Sequence, residues 1–188
     1  VTSTIVVAGA GTAILDVNAT TFIQHSFSAD LDVTLTSPAG TVVTLTLDNG
    51  AGNDYVFNGT VWDDSANPAG QVPYTTNNGL VTDQGYVNLT AATPLVLEEA
   101  LGAFRGEDPN GTWTITISDD LAGDGGSLNS WSLDVFSAPQ APIETSFPFT
   151  DTTLVAIPTG PGVVTSTLLI SGAGTSLSKV DLTTLIDH

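Results

Sequence analysis

The chain has 188 residues, 41% of them hydrophobic, and it contains neither cysteine nor methionine. The chain has twenty acidic residues but only two basic ones, Arg105 and Lys179, which gives a formal net charge of −18. Such a chain cannot neutralise a run of phosphates, which excludes nucleic acid as a partner, and no apolar run approaches the roughly 18 residues that would insert in a membrane. Because this much negative charge repels itself, salt or bound cations are expected to relieve it, and both fit an extracellular, secreted protein.

The predicted elements are strands from one end of the chain to the other. Apolar and polar residues alternate at residues 31–36, 113–117 and 131–135, which is typical of strands with one buried and one wet face. Turn sequences separate them, for example Ser-Pro-Ala-Gly at 37–40 and Pro-Asn-Gly at 109–111. Many short strands joined by frequent turns predict an all-β fold, a jelly-roll-like antiparallel β-sandwich.

Three aromatic or titratable residues stand out along these strands. Trp113 and Trp131 occupy inward positions of the alternation and are predicted to fill the core. His25 ends an apolar stretch, where a lone histidine more often bonds the backbone than binds metal or moves protons. The sequence therefore predicts structural roles for all three.

The chain begins again before it ends. Residues 1–25 and 164–188 align without a gap and are identical at 13 of 25 positions, a period of 163 residues. A fixed period predicts a tandem array. We therefore expect a sandwich domain at residues 1–137 that lacks its leading segment, a Pro-rich linker at 138–142, and the leading segment of the next repeat at 143–188.

Three sequence blocks resemble the P domain (Homo B domain) of subtilisin-like proprotein convertases and secreted bacterial proteases. They are HSFSADLDVTLTSPAGT at 25–41, FRGEDPNGTWTITISD at 104–119 and GGSLNSWSL at 125–133. The resemblance implies a jelly-roll sandwich that performs no catalysis and that stabilises, escorts or anchors a neighbouring domain. The chain departs from the family pattern in one respect, since the sequence that follows the domain is a second copy of its own start.

The residues themselves also argue against an enzyme. His25 is the only histidine within residues 1–137, and no Gly-x-Ser-x-Gly motif is present, so a hydrolase triad has no basis. Acidic pairs in polar turns are instead typical of solvated turns or of Ca²⁺ sites, since Ca²⁺ takes six to eight oxygen ligands. Calcium is the expected cofactor, with the candidate ligands Asp54, Asp63, Asp64, Glu107, Asp108 and Asp119.

Two functions remain open at this stage. The main prediction is a repeat of a calcium-stabilised extracellular array, such as a filament, stalk or adhesin, whose partners are neighbouring copies joined head-to-tail. Residues 143–188 could then act as a donor strand that completes a neighbour's sheet. The other possibility is that the repeats are joined covalently within one longer chain, with no exchange of strands. The alternative is a binding or stabilising tail of a large secreted enzyme such as a subtilisin-like protease. Such a tail could contact a cell surface or a polysaccharide through exposed aromatics. The candidates are Tyr55, Phe57, Tyr74 and Tyr86, although each could equally be a core residue.

Overall fold

The structure is a computed structural model that describes residues 1–66, 85–140, 146–157, 159, 164–173 and 180–187. The chain forms two compact units, Val1–Pro142 and Ile143–His188. Among the described residues, no helix is long and apolar enough to cross a membrane.

The first unit contains seven described strands, and apolar alternation accounts for the best-buried of them. In the strand over residues 31–36, every second side chain is buried, as the sequence predicts. Two short 3-10 turns, Ser28–Asp30 and Leu101–Phe104, accompany the strands. The strands are β1 (Thr2–Val7), β2 (Ala13–His25), β3 (Leu31–Thr36), β4 (Val42–Leu47), β5 (Asn58–Trp62), β6 (Gly111–Asp119) and β7 (Gly126–Ala138).

These strands form two antiparallel sheets. One has the order β1-β6-β3-β4 and the other the order β5-β2-β7. Every pairing between these strands is antiparallel. The all-β antiparallel sandwich predicted from the sequence is therefore confirmed.

Large aromatic side chains fill the space between the sheets. Trp62, Trp113, Phe57 and Phe104 are all fully buried. The rings of Phe104 and Trp113 meet edge to face with centroids 5.0 Å apart, a favoured arrangement of aromatic quadrupoles. Both buried indoles satisfy their N–H, because Trp113 Nε1 donates to the Pro109 carbonyl and Trp62 Nε1 donates to Thr21 Oγ1, each at 2.9 Å. The predicted core position of Trp113 is confirmed.

Trp131 lies at the margin of this core. It packs against the buried cluster but is only partly buried, because β7 is the outermost described strand of its sheet. The predicted core-facing orientation of the Trp131 side chain is therefore confirmed, but the prediction that this side chain fills the core is wrong, because it is only partly buried.

One side of the sandwich is closed by residues 95–99. Leu95 forms a parallel bridge with Trp62 of β5. On the other sheet, the backbone N–H groups of Glu98 and Glu99 donate to the carbonyls of Leu45 and Thr44 in β4. This segment therefore covers the β4 and β5 edges, whereas the β1 and β7 edges lie on the opposite side of the sandwich.

The second unit has no assigned helix or strand among its described residues. The Asp151 carboxylate organises part of it, accepting hydrogen bonds from the Thr153 N–H at 2.9 Å and the Ser166 hydroxyl at 3.0 Å. Hydrogen bonding from the Thr153 side chain and backbone, and then from Ser166, holds the pKa of Asp151 below its ordinary value. Large apolar side chains, including Leu154 and Leu169, are exposed.

Candidate functional site

The end of β2 carries the one histidine of the first unit. His25 is buried, and its Nε2 lies 3.2 Å from Asp119 Oδ2 at the end of β6. Its Nδ1 lies 2.8 Å from the Phe27 carbonyl oxygen. Both ring nitrogens are therefore engaged by structural partners, so that neither is available as the base of a hydrolase triad. This matches the structural role predicted for His25.

Further carboxylates surround this pair, and we call Asp30, Asp119, Asp120 and Asp124 with His25 the acidic end. Asp30 is buried, and burial raises its pKa; the charges of Asp119 and Asp124 raise it further. The Ser26 hydroxyl donates to Asp124 Oδ1 at 3.1 Å, and the Asp120 N–H donates to the Asp30 carbonyl. The acidic end thus concentrates negative charge at the junctions of β2, β3, β6 and β7.

A cavity of about 130 Å³ lies beside the acidic end. His25 and Asp119 supply its titratable side chains, and most of the remaining lining is apolar, including Ile23, Leu31 and Leu128. A space of this size is smaller than the ~300 Å³ at which ligand pockets begin. It does not supply a substrate site.

Asp63 and Asp64 follow β5, and each carboxylate binds backbone. Asp63 Oδ1 accepts the Ser65 N–H at 2.7 Å. Asp64 reaches much further along the chain, since its two oxygens accept the N–H groups of Leu101 and Gly102 at 2.9 and 2.8 Å. Burial raises the pKa of Asp64, opposed by these two bonds. Asp64 therefore acts as a cap for the 3-10 turn Leu101–Phe104.

Glu107 and Asp108 are neighbours in sequence that serve different turns. The Glu107 carboxylate accepts the hydroxyls of Ser37 and Thr41, the first at 2.6 Å, and so closes the turn between β3 and β4. Asp108 Oδ1 accepts the Asn110 N–H at 2.9 Å, which lowers the pKa of Asp108. Both carboxylates hold local structure, the role that turn chemistry gives such residues.

The structure does not gather the six predicted calcium ligands into one place. Asp54 lies near Asn88, whose Oδ1 accepts the Asp54 N–H at 2.6 Å, and Asp119 lies at the acidic end. Within the described residues, no three His, Cys, Asp or Glu side chains are grouped so that they could hold a metal ion. Calcium binding stays a prediction.

The aromatic candidates for surface contact differ in how exposed they are. Phe57 is fully buried, and Tyr86 packs partly buried beside it with ring centroids 6.1 Å apart. Tyr55 is 37% exposed, and Tyr74 lies outside the described residues. Phe57 is therefore a core residue, which is the other role that the sequence leaves open for each of these four aromatics.

Two carboxylates, those of Asp30 and Asp32, were not among the site residues predicted from the sequence. Asp30 is buried at the acidic end, and burial raises the pKa of Asp32 on β3, with the nearby charges of Asp48 and Asp120 adding to the effect. Asp32 Oδ1 is buried without a hydrogen-bond partner among the described residues. The one available signal was the run Asp30-Leu31-Asp32, which places carboxylates directly at the start of an alternating strand.

The fold and the candidate site together define a β-sandwich module whose buried polar groups hold turns and strand ends in place. The model of the Proprotein convertase P-domain family matches residues 14–135, more than half of the chain. The chain belongs to this family, as the sequence blocks predict. The family consists of non-catalytic accessory domains.

Solved structures give a weaker likeness. A serine protease of Aeromonas sobria, and the same protease in complex with a chaperone, each show 22% identity and a TM-score of 0.41 over 71% of this chain. The chain spans only 22% of the length of those protease chains. No curated protein matches the chain.

Proposed function

We propose that the chain is a non-catalytic accessory module of a larger secreted protein, which it stabilises or anchors. Membership of the P-domain family is the observation that carries this proposal. It favours the alternative of the sequence analysis, a tail module of a secreted enzyme such as a subtilisin-like protease, over the array that was the main prediction.

The contacts of His25 support the non-catalytic part of the proposal. A general base needs a ring nitrogen within reach of a nucleophile. In His25, Nδ1 faces the Phe27 carbonyl and Nε2 faces Asp119. The nearest hydroxyl in sequence, that of Ser26, donates to Asp124.

The test compares the complete parent protein with a version that lacks residues 1–142. For an accessory module, removal should lower the thermal midpoint or the secreted yield of the neighbouring domain without removing its catalytic groups. A neighbouring domain that is secreted and unfolds identically in both versions would contradict the proposal.

The repeat favours a second candidate function, a head-to-tail array of such modules on the cell surface. Residues 164–188 repeat the sequence of residues 1–25, which forms β1 and β2 in the first unit, with 13 identities in 25 positions. Repeats of this kind form extended, quasi-one-dimensional assemblies. Electron microscopy of the native material separates the candidates, since filaments with a regular axial repeat support the array and separate compact particles contradict it.

A further inference from the structure

The two long sides of the sandwich differ in how well they are covered. Residues 95–99 close the β4 and β5 side. On the opposite side, the core-facing side chains of β7, which include Trp131, Leu133 and Val135, are only partly buried. Strands in the middle of the sheets bury equivalent positions completely, as Trp113 and Ile115 of β6 show. The β1 and β7 side, which we call the open side, therefore leaves core-facing apolar surface accessible.

The outer backbone edges of the open side also have no strand partner within the part of the chain that the structure describes. β7 has 13 residues and pairs with β2 along one edge. Its other edge meets no strand among the described residues. β1 is likewise the outermost described strand of its own sheet. A long edge of this kind is a ready template for another extended segment.

The chain contains a segment suited to such an edge. The eleven residues 147–157 lead toward the second copy of the β1 sequence, which begins at residue 164. In an extended conformation, Phe147, Phe149, Val155 and Ile157 share one face, because side chains alternate along a strand. All four are more than a third exposed in the second unit.

The centre of the segment is polar, and its carboxylate forms hydrogen bonds within the second unit. Asp151 and Thr153 lie between the two apolar pairs, and the Asp151 carboxylate already accepts the Thr153 N–H and the Ser166 hydroxyl. In an extended segment, Asp151 and Thr153 lie on the same face as the two apolar pairs. The segment therefore offers two apolar contact points with a hydrogen-bonded polar centre between them.

We propose that residues 147–157 of a second copy of this chain dock on the open side, with Phe147, Phe149, Val155 and Ile157 covering the half-buried side chains of β7. This inference rests on the second candidate function, the head-to-tail array, and names its donor and its acceptor. The contact joins different surfaces of two copies, so it propagates instead of closing into a dimer.

The tryptophans provide a direct readout. The chain has three, and Trp62 and Trp113 are 0% exposed, so that quenching of fluorescence by acrylamide reports Trp131. The complete 188-residue chain is measured across a concentration series, with mass from light scattering and Trp131 accessibility from quenching. Docking predicts that mass rises with concentration while Trp131 becomes protected.

Two matched variants identify the donor. Val155 is 38% exposed and its neighbour Leu154 is 93% exposed, and the two point to opposite faces of an extended segment. Val155→Asp should weaken association about tenfold or more, because a buried carboxylate without a partner is costly. Leu154→Asp should associate like the unmodified chain. Both changes lie outside the first unit, and the unquenched signal of Trp62 and Trp113 checks that the sandwich remains folded.

The outcomes are distinct. Association that persists equally in both variants, or that leaves Trp131 accessible, would overturn the docking and leave the array standing. Monomers at every concentration with accessible Trp131 would overturn both the docking and the array, while the accessory-module proposal survives. A monomer in which Trp131 is protected would also overturn docking by a second copy.

Discussion

Trp131 Nε1 donates a hydrogen bond of 3.0 Å to Ser3 Oγ, across 128 positions of sequence. Trp131 belongs to β7 and Ser3 to β1, which lie in different sheets. This bond ties the two sheets together on the side of the sandwich where the core is least covered.

Removing that bond should have a measurable cost. Ser3→Ala leaves the indole N–H without its partner, and we expect a loss of about 1 kcal/mol in the free energy of unfolding. Urea unfolding followed by circular dichroism measures it. Thr4→Ala is the matched control, because Thr4 is the next residue of β1 and is exposed on the other face. Equal losses in both variants would mean that the hydrogen bond contributes nothing of its own.

Gly126 should tolerate no side chain. It starts β7 opposite His25, and a Cβ there would meet the Gln24 carbonyl oxygen and the His25 ring. We expect Gly126→Ala to cost about 1–3 kcal/mol, because the paired backbone must shift. Gly125→Ala should be nearly neutral, since a Cβ there meets nothing within 4 Å. Thermal unfolding of the two variants decides, and a stable Gly126→Ala protein would contradict the close pairing at this point.

Asp64 should stabilise the sandwich more than its neighbour Asp63. Asp64→Ala frees the N–H groups of Leu101 and Gly102, and we expect a cost of about 1–2 kcal/mol, as for loss of a helix cap. Asp63→Ala removes only the bond to Ser65, within its own turn, and should cost less. Denaturant unfolding compares them, and the reverse order would show that the cap does not contribute.

Stability should pass through a maximum at mildly acidic pH. The pKa values of Asp30, Asp32 and Asp64 are raised above the ordinary 3.8 by burial. The folded state then binds protons more readily than the unfolded state, and stability rises as pH falls toward 3.8. Backbone N–H groups lower the pKa of Glu99 and Asp108, whose ordinary values are 4.5 and 3.8. Their contribution is present above those values and is lost as pH falls further.

Thermal midpoints measured from pH 8 to pH 3 at constant ionic strength test this. We expect a rise on going below neutral pH and a decline below about 3.8. Asp32→Asn should flatten the rising part, because that carboxylate no longer titrates. A midpoint that falls steadily from pH 7 downward would contradict the raised pKa values.

Calcium should raise the thermal midpoint if any predicted ligand binds it. A ligand that binds only the folded state stabilises by about 2.7 kcal/mol at a hundredfold excess over its Kd. The midpoint is measured in millimolar Ca²⁺ and in EDTA, with Mg²⁺ at equal ionic strength as the control for screening. If the effect of Ca²⁺ is lost in Asp119→Asn but kept in Asp54→Asn, the acidic end is the site. Identical midpoints in Ca²⁺, Mg²⁺ and EDTA would contradict the predicted calcium binding.

The sequence predicted the fold better than the site, for physical reasons. Period-two alternation of large apolar residues is a strong local signal, and it identified β3 and β6 and the buried position of Trp113. It says nothing about which strand is outermost, so the partial exposure of Trp131 was not predictable. The roles of carboxylates depend on distant partners, as the bonds from Asp64 to Leu101 and from Glu107 to Ser37 show. Adjacent acids in a turn therefore predict candidate Ca²⁺ ligands, but they do not reveal the backbone and hydroxyl groups that each carboxylate contacts in the structure.

The strand order has a consequence for how the chain acquires its structure. β1 pairs with β6, and β2 pairs with β7 as well as with the nearer β5, so both sheets contain pairings between strands roughly a hundred residues apart. Loop-closure entropy must be overcome before such distant contacts form, and folds dominated by them are slow. During synthesis, neither sheet can be completed until β6 and β7 have left the ribosome. Because the chain has few positive charges, unfinished copies repel one another, and this repulsion opposes their aggregation before the sheets are complete.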